Sequence, residues 1–342
     1  MASTLKDVAK LSGVSVATIS NVITRKKYVS PEVTLKVKQA MYRLNYRPNM
    51  IARSLKIKKT NNIGVIVPDI GNPFFADIVK GVERVAKREG CQLFLANTDG
   101  DAKSEEAAFN AFVSQNVDGI VNIAPRMPDA ELLCRPDMPQ VVLDRHIDPP
   151  VRMGCVYADC GPGCRELARH FLALGHRRFA CFTGPVENVP NARDRLETFR
   201  AEVLRAGVAA RDFVAYSGEF SYENGYAFMK KLLSRRSLAT AVFVSSDIMA
   251  WGALESARER GLRIPEDMAI AGYDNVYFAA LIAPALTTVK APQSEAGRLG
   301  FRLLLDLIAG NQHAERLLAL ETELVVRAST DFDRKMVKQL ND

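Results

Sequence analysis

Residues 5–23 read LKDVAKLSGVSVATISNVI, and this stretch decides how the N-terminal part of the chain folds. Thr4 and Asp7 have the spacing of a capping box, which predicts a helix over residues 5–10. After a tight turn at the glycine, a second helix is predicted over residues 16–23. The two helices share apolar side chains that can form a small core, namely Val8, Ala9, Val14, Ile19 and Val22.

A third helix is predicted to begin at Ser30-Pro31, because serine is a favoured N-cap and proline a favoured first helical residue. Apolar side chains follow it at helical spacing; they are Val33, Val37, Ala40, Met41 and Leu44. Two short helices joined by a tight turn are the arrangement of a helix-turn-helix DNA-binding unit. We therefore predict an all-α helix-turn-helix head over residues 1–47.

The charge of the chain is unevenly distributed, which supports a nucleic-acid partner for the head. Residues 1–60 contain 13 Lys and Arg but only two acidic residues, Asp7 and Glu32, a net charge of +11. The rest of the chain contains 33 basic and 37 acidic residues, a net charge of −4. A basic module on a mildly acidic body is typical of proteins that bind the phosphate backbone.

Residues 48–60 form a predicted hinge between the head and the rest of the chain. Pro48 ends the preceding helix and can begin another, so residues 49–57 could form about two helical turns. Such a helix is too short to be stable alone in water. We expect it to be helical only when bound to DNA, where it gains partners.

From residue 62 onward the pattern changes to short apolar strands that alternate with amphipathic helices. Strands are predicted at residues 63–68, 92–97, 119–124, 140–143, 153–157, 179–182, 213–216, 241–244 and 268–271, and helices at 74–89, 192–206, 222–234 and 248–260. This alternation indicates an α/β fold with parallel sheets covered on both faces. The number of strands predicts two similar lobes, with a ligand cleft at the carboxyl ends of the strands.

Composition narrows the class of protein further. The chain is 48% hydrophobic and 25% charged, as in ordinary globular proteins, and contains no apolar run long enough to span a membrane. Its N-terminus lacks an apolar signal region, so we expect a cytoplasmic protein without a membrane partner. Its cysteines are then expected to be reduced thiols; they are Cys91, Cys134, Cys155, Cys160, Cys164 and Cys181. Three of them cluster at residues 155–164, where the sequence leaves ordinary thiols and redox sensing both open.

Catalytic and cofactor signatures are missing from the sequence. There is no Gly-x-Ser-x-Gly motif, phosphate-binding loop or run with metal-ligand spacing, so we expect no enzyme activity, no cofactor and no metal. The four histidines are scattered; His176 follows a predicted helix end and is interpreted as structural.

Short motifs along nearly the whole chain suggest a family. In the head and hinge they are Leu5-Lys6-Asp7-Val8-Ala9, Gly13-Val14-Ser15, Thr18-Ile19-Ser20, Val29-Ser30-Pro31, Leu44-Asn45-Tyr46-Arg47-Pro48-Asn49 and Ala52-Arg53-Ser54-Leu55; beyond them they are Asn72-Pro73-Phe74-Phe75, Leu174-Gly175-His176-Arg177-Arg178, Ser245-Ser246-Asp247, Gly272-Tyr273-Asp274 and Leu286-Thr287-Thr288-Val289. At this spacing they resemble the LacI/GalR family of repressors. The later motifs are also similar to those of periplasmic sugar-binding proteins.

The resemblance implies how the head binds DNA. It implies DNA contacts by Leu5, Lys6, Ser15, Val16, Ala17, Thr18, Ser20, Asn21, Tyr28, Ser30, Asn49, Ala52, Arg53, Leu55 and Lys56. Asn21 can bond an adenine edge, and Val16 and Ala17 can contact thymine methyls, although both could instead belong to the core of the head. Leu55 matches the family residue that wedges into a base step from the minor groove. For Asn21 the alternative is simple solvent exposure, and for Leu55 it is packing between paired hinge helices or onto the sensor.

The resemblance also implies an effector site in a periplasmic-binding-protein-like sensor domain. The matching residues are Asn72, Phe74, Phe75, Asp144, Arg145, Asn191, Arg195, Phe220, Ser246 and Asp274. Aromatic rings with carboxylates and guanidinium groups suit a polyol. Ser246 and Ala291 stand where relatives of the ribose-binding type have Asn and Gln, which leaves room for a larger or modified sugar. The alternatives are an interlobe ion-pair network for the charged residues and lobe core for the two phenylalanines.

These expectations define a function and its competitors. We predict an operator-binding repressor controlled by a small sugar or sugar derivative. A purine-responsive corepressor-type regulator is the alternative within the family, but Val189 and Asn191 stand where the purine branch has Arg and Thr. A sugar-binding transport protein is a third class, which the basic head opposes.

The sequence also predicts the oligomeric state of the protein and the boundaries of its sensor domain. A small head recognises one half-site, so we predict a homodimer on near-palindromic DNA. Residues 331–342 contain no leucine heptads of the kind that make some family members tetrameric. The sensor is predicted over 61–332, with the first lobe at about 61–160 and 290–318 and the second at about 161–289 and 319–332.

Overall fold

The computed structural model describes residues 3–24, 27–46, 59–126, 138–147, 149, 152–235, 239–311 and 315–331. By its internal contacts the chain divides into two units, Met1–Thr60 and Asn61–Asp342. Most of the predicted hinge falls outside the described residues. The site residues Asn49, Ala52, Arg53, Leu55 and Lys56 are among those outside.

The described part of the first unit contains three helices: α1 (Leu5–Ser12), α2 (Val16–Thr24) and α3 (Pro31–Arg43). The three helices begin where the sequence predicted. Thr4 and Asp7 form the capping box of α1, and the Ser15 hydroxyl accepts a hydrogen bond from the backbone N–H of Thr18 at 3.1 Å. Gly13 ends α1 at φ +70°, a left-handed conformation that costs glycine no steric strain.

The core of the first unit is small and lies among the three helices. Val8, Ile19 and Val37 are fully buried at its centre, one from each helix. Burying each of these branched side chains stabilises the folded head by roughly 1.5–3 kcal/mol. Because Ile19 lies in this core, its burial also determines which side of α2 faces inward.

The second unit contains two six-stranded sheets. The first has the strand order β11-β5-β4-β3-β1-β2 and is parallel throughout. Its strands are β1 (Asn62–Val67), β2 (Gln92–Asn97), β3 (Gly119–Ile123), β4 (Gln140–Leu143), β5 (Met153–Asp159) and β11 (Leu317–Glu321). Helices α4 (Pro73–Glu89), α5 (Ala102–Ser114) and α10 (Gln293–Ala309) cover it.

The second sheet repeats the pattern in the order β12-β10-β9-β8-β6-β7. Its strands are β6 (Phe179–Thr183), β7 (Phe213–Ser217), β8 (Ala241–Val244), β9 (Ala269–Asp274), β10 (Thr287–Lys290) and β12 (Glu323–Val325), and only the β10–β12 pair is antiparallel. Its helices are α6 (Gly161–Ala173), α7 (Pro190–Arg205), α8 (Tyr222–Leu233) and α9 (Asp247–Glu259). Two short 3₁₀ turns, Ala210–Asp212 and Tyr277–Ala280, complete it. The predicted α/β fold with two parallel-sheet lobes is confirmed.

Three crossings join the two lobes, between β5 and α6, between β10 and α10, and between β11 and β12. The sequence placed the last lobe boundary at residues 318–319, which falls inside β11. That strand stays paired with β5 of the first sheet as far as Glu321, so the crossing lies at Thr322. The three short strands β10, β11 and β12 were not predicted, because runs of three to five residues carry too little periodicity.

In each lobe, glycines allow one pair of helices to pack with their backbones in direct contact. In the second lobe α8 and α9 meet at Gly225 and Gly252; a Cβ on Gly252 would lie 2.0 Å from the Tyr222 carbonyl oxygen. In the first lobe α4 and α10 meet in the same way at Gly81 and Gly297. A side chain at any of these positions would force the helices apart.

Replacing Gly252 with alanine should therefore destabilise the second lobe. Overpacking lowers the free energy of unfolding by about 1–3 kcal/mol. Glycine to alanine within a helix by itself raises it by about 1 kcal/mol. A net loss of stability would therefore report the close contact between the helices. Urea unfolding should show a lower midpoint for Gly252→Ala. Lys230→Ala, an exposed position on α8, is the control and should stay within about 0.5 kcal/mol of the parent. Equal or greater stability of Gly252→Ala would contradict the tight packing.

The described residues show neither a membrane-spanning helix nor a metal-binding cluster. Within them, no helix has both the length and the apolar character needed to cross a membrane. They also contain no group of three or more His, Cys, Asp or Glu side chains positioned to hold a metal ion.

Candidate nucleic-acid interface and ligand cavity

Helix α2 presents a mixed polar and small apolar surface to solvent. Val16 is 41% exposed, and Ala17 and Ser20 are exposed too, whereas Ile19 is fully buried on the opposite face. Asn21 is half-buried beside them. The alternative that Val16 and Ala17 form the core of the head is therefore wrong, since the core is built from other residues of the three helices.

The other described head residues fall into three groups. Lys6 and Tyr28 are exposed, Tyr28 at 90%. Ser15, Thr18 and Ser30 serve helix starts: the Ser15 and Thr18 hydroxyls lie 2.9 Å apart, and Ser30 accepts from the backbone N–H of Val33 at 3.4 Å. Leu5 is half-buried and packs against the core of the head. Helix N-termini with free N–H groups and nearby hydroxyls are suited to binding phosphate.

A cavity of about 360 Å³ lies where the carboxyl ends of the two sheets face each other. Its lining includes all ten residues that the sequence assigned to an effector site. It also includes eight that the sequence did not assign: Pro68, Asp69, Asp99, Gly100, Ala124, Arg126, Val189 and Glu219. Because parallel strands end at the same edge of a sheet, the loops that follow them converge there.

Arg195 is the central charged group of the cavity. It is 6% exposed, its guanidinium carbon lies 3.7 Å from the centre of the Tyr273 ring, and its Nη1 donates to the Ser245 carbonyl at 3.1 Å. The same nitrogen is 4.0 Å from the Asp274 carboxylate. Stacking on the Tyr273 ring and one hydrogen bond hold the Arg195 guanidinium group in place. Its positive charge faces two carboxyl groups, those of Asp274 and Asp144.

The two acids are held in unusual backbone conformations. Asp144 follows β4 at φ +59°, and Asp274 ends β9 at φ +111°. Burial raises the pKa of Asp144 to about 6, although Arg195 and Arg145 oppose the shift. Burial also raises the pKa of Asp274 well above its usual value, again against Arg195. Such carboxyl groups hold a proton readily, so they can donate as well as accept hydrogen bonds.

The aromatic residues occupy the apolar part of the cavity. The rings of Phe74 and Phe75 meet edge to face with centres 5.1 Å apart, and the Asn72 side chain caps α4 beneath them by accepting from the Phe74 N–H at 3.0 Å. Phe74 is 6% exposed and belongs to the lobe core as well as to the cavity wall, so the core alternative holds for part of its surface. A Cβ on Gly184 would lie 2.1 Å from the Phe220 ring, which shows how closely that ring is seated.

Polar contacts cross the cleft between the lobes beside the cavity. The Asn191 side-chain amide donates to the Asp144 carbonyl oxygen at 2.6 Å, and Arg126 forms an ion pair with Glu219 at 3.1 Å. The sequence offered an interlobe ion-pair network for Asp274, Arg195 and Asp144. Arg195 and Asp274 both belong to the second lobe, whereas Asp144 attracts Arg195 from the first lobe across the cleft. Among the described residues, the ion pair within contact distance that crosses is Arg126–Glu219.

A buried aspartate that the sequence did not assign supports the floor of the cavity. Asp247 is fully buried, accepts from the Thr288 hydroxyl at 2.7 Å and accepts from the Val276 N–H at 2.9 Å. Its burial raises its pKa to about 7, against these hydrogen bonds. It anchors the turn that carries Asp274. Its only signal in the sequence was membership of the Ser245-Ser246-Asp247 motif. The Ser246 hydroxyl beside it caps α9.

The comparisons with known proteins cover both units. The model for bacterial regulatory proteins of the lacI family matches residues 4–49. Models for a periplasmic binding protein domain and a periplasmic binding protein-like domain match residues 63–130 and 168–330.

Individual proteins match over nearly the full length. The ribose operon repressor of Escherichia coli (strain K12) is 36% identical over 331 residues, which cover 96% of this chain and 99% of that protein. The repressor PurR of Aliivibrio salmonicida (strain LFI1238) is 31% identical over 330 residues, covering 96% and 98%. A crystal structure of the lac repressor dimer bound to operator and the anti-inducer ONPF superposes with a TM-score of 0.83 at 28% identity, covering 96% of this chain and 99% of that one.

Proposed function

The chain belongs to the lacI family of bacterial regulatory proteins, and from that premise we propose that it is a repressor whose operator binding is controlled by a small sugar or sugar derivative. The observation that carries the effector half of this proposal is the cavity. Within it, two buried carboxyl groups, a fixed guanidinium group and aromatic rings converge. Hydroxyl groups need such donors and acceptors, and the C–H face of a sugar packs on aromatic rings.

The DNA-binding half rests on the head. With its exposed face in the major groove, α2 would bring Val16, Ala17 and Asn21 to the base edges, and the helix starts to the phosphates. We further propose that Leu55 wedges into the central base step and that Arg53 and Lys56 lie at the minor groove. Unstacking a base step costs a few kcal/mol, so a flexible pyrimidine–purine step is expected there.

A purine effector is the competing proposal, since PurR is among the relatives. The cavity wall carries the apolar Val189, and Asn191 beside it is engaged with the Asp144 carbonyl oxygen. These two side chains offer a nucleobase no guanidinium donor at that point, which favours the sugar. The two relatives named above are repressors, and we propose that this protein binds its effector without turning it over. Because a repressor meets its operator in the cytoplasm, we propose a cytoplasmic location for the protein.

We propose that the effector acts by setting the closure of the two lobes. Phe74 and Asp144 belong to the first lobe, and Arg195 and Asp274 to the second, so one ligand touching all four favours one closure angle. The first lobe follows the hinge directly in sequence. Its rotation would change the separation of paired hinge helices, so the effector and the operator would favour different states.

Function on DNA also requires a second copy of the chain. The lac repressor in the matching structure is a dimer on its operator, and we propose a homodimer on a near-palindromic site. The surface of the second lobe offers an apolar patch, defined by Trp251, Tyr277, Phe278 and Leu281. Leu281 is 75% exposed, Tyr277 69% and Trp251 45%, and the Phe278 ring lies between the Trp251 and Tyr277 rings, with centres 5.4 Å and 5.8 Å away.

Charging this apolar patch should produce a monomer. A carboxylate introduced by Leu281→Asp would have to be desolvated on dimerisation, which costs several kcal/mol. Light scattering should report the dimer mass for the parent chain and the monomer mass for Leu281→Asp. The control Val326→Asp changes another exposed apolar side chain and should remain dimeric. A tetramer for the parent, or a dimer for Leu281→Asp, would contradict the proposed assembly.

The proposed function is tested in two steps. Selection from random duplex DNA should yield a near-palindromic sequence, and failure to enrich any sequence would overturn the repressor proposal. A thermal-shift screen of sugars, sugar acids and nucleosides should then find the effector. A ligand at 100 times its Kd stabilises the folded state by about 2.7 kcal/mol. A nucleoside or nucleobase as the sole stabilising ligand would favour the purine alternative.

A further inference from the structure

The lining of the proposed effector cavity carries more carboxyl groups than guanidinium groups. The carboxyl groups are those of Asp69, Asp99, Asp144, Glu219 and Asp274, and the guanidinium groups are those of Arg126, Arg145 and Arg195. A cleft lined mainly by one sign of charge attracts ligands of the opposite sign and repels ligands of the same sign. The place where the surplus of negative charge lies therefore bears on which ligands the cavity accepts.

Each guanidinium group of the cavity has a carboxyl group of the cavity beside it. The pairs are Arg126 with Glu219 at 3.1 Å, Arg195 with Asp274 at 4.0 Å, and Arg145 with the adjacent Asp144. The two remaining carboxylates are those of Asp69 and Asp99, and within the described ranges neither forms an ion pair with Lys, Arg or His. These two side chains hold the surplus.

Asp69 and Asp99 lie side by side on the first-lobe rim of the cavity. Strands β1 and β2 are paired in parallel, and each aspartate follows the end of its strand by two residues. The Asn97 side chain lies between them, since its carbonyl oxygen accepts from the Ile70 N–H at 2.8 Å and its amide donates to Asp99 at 2.5 Å. The Asp69 carboxylate accepts from the Gly71 N–H at 2.8 Å.

These bonds orient the two rim carboxylates without saturating them. A carboxylate can accept about four hydrogen bonds, and both side chains belong to exposed residues. An ammonium group has three N–H donors and no acceptor, and its hydrogen bonds to carboxylates are charge-assisted. The rim formed by Asp69 and Asp99 thus offers a ligand's amino group two anionic partners.

The inner end of the cavity has a different character. Arg195 is 6% exposed, and its Nε–H has no hydrogen-bond partner among the described residues. A buried donor of this kind is costly unless an acceptor meets it, and a hydroxyl oxygen of a ligand is such an acceptor. A carboxylate or phosphate would instead meet Asp144 and Asp274, which already face the same guanidinium group.

We propose that the effector is an amino sugar, bound with its ammonium group at Asp69 and Asp99 and its hydroxyl groups toward Arg195. This inference rests on the proposed function, because it takes the cavity to be the effector site. It narrows the ligand class: an aminated sugar binds more tightly than the neutral sugar of the same configuration, and the corresponding sugar acid binds most weakly.

Isothermal titration calorimetry on the full-length protein tests the order of affinities. The probes are a neutral aldose, its aminodeoxy derivatives and its uronic acid, taken in the ribo, gluco, galacto and manno series. In the series that binds, an amine should bind about tenfold more tightly than the neutral sugar, which corresponds to about 1.4 kcal/mol. Because the rim is exposed, raising the salt from about 0.05 to 0.5 M should reduce this preference.

The double variant Asp69→Asn/Asp99→Asn assigns the preference to the rim. Asparagine keeps an oxygen acceptor at both positions and tolerates the φ of +51° at Asp99. The variant should bind the amine and the neutral sugar equally, with the affinity for the neutral sugar within about twofold of the parent. Asp306→Asn removes an exposed carboxylate of α10 in the same lobe, outside the cavity, and should keep the preference of the parent.

The outcomes separate this inference from the proposed function. If the parent binds a neutral or acidic sugar at least as tightly as the matching amine, the amino-sugar inference is wrong while the sugar-controlled repressor stands. If the double variant keeps the full preference for the amine, the two aspartates do not recognise it. If the parent binds no sugar of any series, the sugar half of the proposed function fails and this inference fails with it.

Discussion

Operator affinity of the parent protein should fall about 5- to 150-fold when the effector binds, and Asp274→Ala should lose that response. The range corresponds to a coupling of about 1–3 kcal/mol. Asp274 lies in the cavity wall at the end of β9, 4.0 Å from Arg195, and is 6% exposed. Removing its carboxyl group takes away a hydrogen-bonding partner from the second lobe, so the ligand can no longer favour one closure angle.

A structural defect must be separated from a lost contact. Asp274 has φ +111°, which strains alanine, so Asp274→Asn is the second variant; asparagine tolerates positive φ and keeps the shape of the side chain. Asp267→Ala, which removes a surface partner of Arg263, is the control and should respond like the parent. The measurement is operator binding by fluorescence anisotropy with and without effector.

Two outcomes would contradict different parts of the proposal, the inducer assignment and the effector site. If the effector tightens operator binding, the ligand is a corepressor and the inducer proposal is wrong, although the same lobes and cavity would be used. If Asp274→Ala and Asp274→Asn respond to the ligand as the parent does, the cavity is not the effector site.

The second large effect is expected in the head. Asn21→Ala should weaken binding to the selected operator by about 1–3 kcal/mol, or roughly 5- to 150-fold, because a bidentate contact with an adenine edge is worth that much. The side chain lies half-buried on α2, next to the exposed Val16, Ala17 and Ser20. The loss should be specific: an operator changed at the one base pair that Asn21 reads should be bound equally by parent and variant.

A phosphate contact or simple exposure predicts a different pattern. A phosphate contact would weaken all operators uniformly and reduce the salt dependence, and an exposed side chain without a contact would change nothing. Asn188→Ala, an exposed asparagine of the second lobe, is the control and should leave operator binding unchanged. Uniform or absent effects of Asn21→Ala would remove it from the base-reading set.

Much of the fold could be predicted because its signals are local. The capping box at Thr4 and Asp7, the glycine at the end of α1 and the Ser30-Pro31 start of α3 each act within about four residues. Buried parallel strands such as β1 and β6 are apolar runs that stand out against their helices. The strands missed, β10 to β12, are only three to five residues long, and their pairing with β9, β5 and β10 is what identifies them as strands.

The sequence by itself determined the basic head, the alternation of strands and helices, and through motif resemblance ten of the residues that line the cavity. Only the tertiary structure decided how they are supported. Arg126 and Glu219 are 93 residues apart and Asp247 and Thr288 are 41 apart, yet each pair is in contact. A further cavity of about 380 Å³, lined by residues of both lobes, likewise exists only where the lobes meet. The physical reason is that caps and periodicity depend on neighbours along the chain, whereas ion pairs, buried carboxyl groups and cavities depend on which strand ends and helices the sheet order brings together.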